Sequence, residues 1–138
     1  MQRHTSQAAA FLGMLLAAAA AVAQKNAAVL KADIPFPFVV ANHTLLAGHY
    51  AVSTPGEHTI RIANSHKQGA FVLTSKVDGR VRDRSGKVVF YRYQNRYFLA
   101  QVWGPAYGTG RQLHKSHAEE ELENKGIEKA IAVLRAEK

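Results

Sequence analysis

Residues 86–103 read GKVVFYRYQNRYFLAQVW, two apolar and aromatic runs on either side of Gln94-Asn95. Valine, tyrosine, phenylalanine and tryptophan suit a pleated, packed surface. A two-residue polar break between such runs predicts a β-hairpin. With Gln94 and Asn95 as the loop, Tyr93 faces Arg96, and pairing continues as Arg92 with Tyr97, Tyr91 with Phe98, Phe90 with Leu99, Val89 with Ala100 and Val88 with Gln101. Directly opposite residues share a face. One face then carries Val89, Tyr91, Phe98, Ala100 and Val102; the other carries Val88, Phe90, Leu99 and Trp103, with Arg92, Tyr97 and Gln101 around them. Both faces are apolar at their centres, so the hairpin needs two covers. The expectation is that the Tyr91/Phe98 face joins the main core and the Phe90/Leu99/Trp103 face receives the C-terminal tail.

Upstream, residues 27–33 alternate and lead into Ile34-Pro35-Phe36-Pro37-Phe38-Val39-Val40. Each proline removes a backbone donor, which predicts an edge strand or one that enters its sheet late. Asn42-His43-Thr44 reads as a turn. In His49-Tyr50-Ala51-Val52-Ser53, Tyr50 and Val52 share a face assigned to the core. Thr54-Pro55-Gly56-Glu57 has the residues of a type II turn and should close a hairpin onto residues 58–63, with Ile60 and Ile62 inward. After a polar loop at 64–69, AFVLTS at 70–75 is apolar on both faces and reads as a central strand. Residues 76–87, KVDGRVRDRSGK, are the densest positive stretch and read as a loop that could hold a short strand at Val81; residues 104–110 interrupt regular structure.

The tail changes period. Ser116 followed by Glu119 is a capping-box pattern, with Glu120 and Glu121 also in the early turns, where the helix dipole favours negative charge. Ala118, Leu122, Ile127, Ala130, Ile131 and Leu134 follow at helical spacing. Residues 114–138 are therefore expected to be a C-terminal helix on a β-rich domain at 24–113, with Gly126 as a kink or a break between two short helices. The expected fold class is mainly β: an antiparallel β-sandwich or barrel-like meander with a C-terminal α-helix.

The first 23 residues read as a secretory signal peptide: Arg3 and His4 in a short basic start, an apolar run at 8–20, then Ala21-Val22-Ala23 as the cleavage signal. The run is short and alanine-rich for a membrane anchor, which needs about 20 apolar residues. The chain is expected to be exported, periplasmic or extracellular, beginning at Gln24 and without a stable membrane span. Loss of Arg3 leaves 17 basic and 10 acidic residues, net +7. Residues 24–113 hold 12 basic and 4 acidic residues, so the positive field belongs to the β body. For an exported chain this points to anionic envelope components or polysaccharide rather than nucleic acid. With no cysteine, the fold rests on packing alone and thiolate zinc sites are excluded.

No catalytic or cofactor motif stands out. Of the histidines, only His114 and His117, with Glu121 one turn on, have helix-face spacing, and the expectation is no metal and no cofactor. No serine sits in a nucleophile elbow, and the acids of the β body, Asp33, Glu57, Asp78 and Asp83, avoid strand centres. Basic residues do adjoin aromatics: Arg92, Tyr93, Arg96, Tyr97, Gln101 and Trp103 form the candidate ligand surface, able to stack on rings or hold anionic groups.

Residues 34–40 (IPFPFVV), 45–50 (LLAGHY) and 97–103 (YFLAQVW) resemble a family of short exported bacterial proteins with an IPFxFVV…LPAGxY opening and a YFLxQVW strand. Leu46 replaces that pattern's usual proline, and Pro37 an often polar residue. The resemblance covers most of residues 24–138 and implies export and a β-rich fold; its motifs are structural and assign no site residue. The expected function is an exported, non-enzymatic β-sandwich binding or structural module of the cell envelope. The alternative is a small hydrolase or carbohydrate-active enzyme with a loop-built site. The sequence does not indicate an oligomeric state.

Overall fold

A computed structural model describes residues 30–79, 86–104 and 109–137. The expected leader at 1–23 and the centre of the basic stretch around Val81 lie outside the described residues. Among these residues ten strands form one mixed sheet that does not close: β1 (Leu30–Ile34), β2 (Phe38–Val40), β3 (His43–Leu45), β4 (Gly48–Gly56), β5 (Thr59–Ala63), β6 (Gly69–Asp78), β7 (Lys87–Tyr93), β8 (Arg96–Trp103), β9 (Thr109–Leu113) and β10 (Lys129–Arg135). Among the described residues a single short helix, α1 (His117–Asn124), precedes β10. The fold class is mainly β, and nearly every pairing is antiparallel; the exception is β2 beside β8, where Val39 is the partner of Phe98.

The order β1-β4-β5-β6-β9-β8-β2-β3 bends over a common core. The first half of β6 pairs with β5 and the second half with β9, so β6 carries the chain from one layer to the other. The segment Pro35-Phe36-Pro37 makes the same passage between β1, which pairs with β4, and β2, which pairs with β3 and β8. Its prolines stand between strands, where no ladder donor is required. Ile34, Phe38, Tyr50, Val52, Ile60, Ile62, Val88, Phe90 and Leu99 fill the space between the layers.

The remaining turns deviate from expectation in two places. The β2–β3 loop is Ala41-Asn42, both at positive φ (49° and 67°), and His43 and Thr44 already belong to β3. This is the backbone of a type I′ turn, whose twist suits adjoining strands. The expected type II turn at Pro55-Gly56 does not form. β4 runs on to Gly56, which pairs with Thr59, and one extra β4 residue is absorbed between Ser53 and Gly56. A bulge tolerates the donor that Pro55 lacks.

The tail departs most from expectation. The helix ends at Asn124, and residues 129–135 form β10, antiparallel to β7 from Lys129 opposite Tyr93 to Arg135 opposite Lys87. Gly126, at φ 76°, ends the helix rather than kinking it. Its N–H reaches Glu123 O at 2.9 Å and that of Ile127 reaches Leu122 O at 3.1 Å, the two bonds of a Schellman motif. Ala132, Leu134 and Ala136 then pack against the core with strand periodicity.

Candidate functional site

The hairpin forms around the expected two-residue loop, with Gln94 at φ 57° and Tyr93 opposite Arg96. The register holds as far as Phe90 opposite Leu99 and then shifts: Val89 lies opposite Gln101 and Val88 opposite Val102. Ala100 is therefore the extra residue of a β-bulge. One added residue reverses which face every later side chain takes. Val102 turns inward with Val88, Phe90 and Leu99, while Gln101 and Trp103 turn outward with Val89 and Lys87.

The two covers are consequently exchanged relative to expectation. The Phe90/Leu99 face belongs to the main core, where Phe36 meets Phe90 edge-on at 5.0 Å and stacks on Tyr97 at 3.7 Å. The Tyr93/Phe98 face receives α1 through Ala118 and Leu122, and Ile127 just beyond the helix. The helix is well seated on polar contacts as well. Ser116 caps it, its Oγ accepting from Glu119 N at 3.2 Å. The buried Tyr93 hydroxyl donates toward Glu119 Oε1 at 3.2 Å and Glu123 Oε1 at 3.0 Å, and Lys115 Nζ donates to both oxygens of Glu123 at 2.7 Å. Burial, then the bond to Glu123 and the two negative charges, push the Tyr93 phenol well above its ordinary pKa.

The six candidate residues therefore do not share one surface. Arg92 and Tyr97 sit as a cross-strand pair beside Phe36. Tyr93 is buried beneath α1, and the Arg96 guanidinium lies over the Phe98 ring, 5.2 Å from its centroid. Gln101 and Trp103 stand on the part of the outer face that α1 leaves open.

That open part is the candidate site. Trp103 Nε1 donates to Gln101 Oε1 at 3.0 Å, and Gln101 Nε2 donates to Gln112 Oε1 at 2.8 Å. The indole lies so close over β9 that a Cβ on Gly110 would come within 2.6 Å of it, so this glycine provides space for the ring. The Lys87 ammonium stands 5.3 Å from the Trp103 ring centroid, and that of Lys129 stands 4.2 Å from the Tyr91 centroid. The same face continues onto β10, where Ile131 and Val133 are 65% and 53% exposed. The result is an aromatic and aliphatic floor, a row of side-chain amides and flanking cations. Such a surface can stack on a ring, hydrogen-bond hydroxyls and attract negative charge.

Gln101 and Trp103 belong to the sequence-derived set, whereas Lys87, Tyr91, Gln112, Lys129, Ile131 and Val133 join them only through the bulge, the pairing of β9 with β8 and the pairing of β10 with β7. β6 carries a second apolar exposure: Phe71 and Leu73 are 66% and 61% exposed, so the outer side of this strand, expected to be covered, faces solvent. His114, His117 and Glu121 do not converge; His114 Nε2 meets Ser75 Oγ at 3.3 Å, and His117 Nδ1 lies 3.9 Å from Glu120. Among the described residues, the group with metal-ligand proximity is instead Asp33, His49 and Glu137. Among those residues, too, no helix is long and apolar enough to cross a membrane. No family model, curated protein or solved structure matches the chain.

Proposed function

We propose that the chain is an exported, non-catalytic β-sandwich module that binds acidic polysaccharide of the cell envelope. The observation carrying this reading is the outer face of β7, β8, β9 and β10, where the Trp103 indole, the Gln101 and Gln112 amides and the Lys87 ammonium lie together at one end, and Lys129 stands over Tyr91 toward the other. Sugar rings present apolar C–H faces that stack on aromatics, hydroxyls that bond to amides and, in uronic acids, carboxylates that attract lysine. The net charge of +7 that remains after loss of residues 1–23 supports an anionic partner, and the signal-peptide pattern of residues 1–23 supports an envelope setting. The non-catalytic reading is supported by the occupation of Glu119: this buried carboxylate holds the Tyr93 hydroxyl and the helix rather than lining a cleft.

Trp103 is the chain's single tryptophan, so its fluorescence reports directly on this surface. Titration with polygalacturonate should shift and saturate the emission, neutral dextran should not, and Lys129→Ala should weaken binding severalfold. Equal response to anionic lipid vesicles, or turnover of glycoside or ester substrates by the chain, overturns the assignment.

A further inference from the structure

Asp33, His49 and Glu137 are far apart in sequence and come together at the junction of β1, β4 and the end of the chain. Asp33 and His49 are direct partners in the β1–β4 register. Glu137 is placed by its backbone, whose N–H donates to Lys31 O at 2.8 Å. One ligand atom from each residue lies within 4.8 Å of the others. His49 Nδ1 is 3.5 Å from Asp33 Oδ1 and 3.4 Å from Glu137 Oε1. Both separations exceed a normal N–H to O hydrogen bond of about 2.7–3.2 Å. They match the spacing of neighbouring ligands around a tetrahedral ion with bonds of about 2.0–2.2 Å, which is roughly 3.3–3.6 Å.

We propose that Asp33, His49 and Glu137 form a site for a divalent transition-metal ion of the zinc type. Neutral imidazole and two carboxylates supply one nitrogen and two oxygens, a donor set that suits zinc, whereas magnesium prefers oxygen alone. Two negative charges balance a divalent ion. The side chains are 77%, 58% and 47% exposed for His49, Asp33 and Glu137, which leaves the fourth position open to water. Spacing along the chain cannot reveal such a site, because two ligands come from strand register and the third from the last residues after β10. The bound ion would tie the chain end to β1 and β4. This inference is independent of the Trp103 surface.

Isothermal titration of the purified chain with zinc chloride is expected to show one saturable site per chain and a raised melting temperature, with magnesium chloride giving neither. His49→Ala and Glu137→Gln should each lower zinc affinity at least tenfold, and His117→Ala should leave it unchanged. All three residues are at the surface, so the variants should keep the circular-dichroism spectrum of the parent. The proposal is overturned if zinc does not saturate, if His49→Ala binds it as well as the parent, or if magnesium binds equally; the contacts are then an imidazolium clasp between two carboxylates.

Discussion

Glu119 shows how much one side chain can reveal about the seating of the helix. It is the buried carboxylate among the described residues, 5% exposed, and shares the Tyr93 hydroxyl with Glu123. A phenol has one proton to donate, and Glu123 is satisfied by Lys115 as well. Glu119 is the less compensated of the two. Burial accordingly raises its pKa, against the opposing pull of Tyr93 and Lys115, whereas the bonds from Lys115 first and Tyr93 second lower that of Glu123. The two groups act on stability in opposite directions. The contribution of Glu119 is fully present below the ordinary carboxylate pKa and is lost as pH rises through its raised value; that of Glu123 is present above the ordinary value and is lost as pH falls through its lowered one. Glu119→Gln keeps an oxygen acceptor for Tyr93 and removes the desolvated charge. It should raise the urea midpoint at pH 7, with the advantage shrinking toward pH 4. A lower midpoint at pH 7 would mean that the ionised carboxylate favours the fold.

At the scale of elements, the end of α1 is the sharpest case. Gly126 occupies the left-handed position of the Schellman motif, and a Cβ there would meet nothing within 4 Å. The cost of Gly126→Ala is therefore conformational alone, about 1 kcal/mol, read as a lower denaturation midpoint with an unchanged slope. Gly126→Asn should cost less, because asparagine tolerates this region better. The Ser116 cap and the Tyr93–Arg96 turn were legible because each is a local signal with a fixed offset; Gly126 was legible as an interruption, but it ends the helix before a strand rather than kinking it or dividing two helices. β10 was not. Ala130, Ile131 and Leu134 fit a helical stripe, while Ala132, Leu134 and Ala136 fit a strand, and a short apolar run does not decide between the two periods. The free edge of β7 decides it, a tertiary partner that no local pattern contains. The site was half legible for the same reason. Trp103 and Gln101 were identifiable as residues, but their face depends on the bulge at Ala100, where one unpaired residue reverses the pattern.

For the molecule as a whole, the question is how an open sheet protects its ends. β1 and β10 terminate different branches of the pairing, yet they approach each other: Ala136 N donates to Gly86 O at 2.9 Å and Glu137 N to Lys31 O at 2.8 Å. Leu30 and Ala136 crowd Gly86 at this seam, so closely that a Cβ there would lie 2.4 Å from Leu30 Cδ1 and 3.1 Å from Ala136 Cβ. The last residues thus occupy the β7 edge and bring the two ends of the sheet together without a continuous ladder. A C-terminal helix lying wholly across the sheet would be a separable cover, whereas β10 is part of the core, with Ala132, Leu134 and Ala136 packed against it. Truncation after Glu128 separates these possibilities while retaining α1 and its Schellman turn. It removes the partly buried Leu134, removal of a leucine's burial being worth up to about 1.5–3 kcal/mol, together with the core-packed Ala132 and Ala136 and a full strand of ladder bonds. The exposed β7 edge becomes a template for pairing with other chains. The truncated chain should unfold at least 10 °C below the parent and self-associate with increasing concentration in size-exclusion chromatography. A truncated chain that stays monomeric and keeps its melting temperature would show that β10 contributes nothing to the core, and that the sheet is complete at β7.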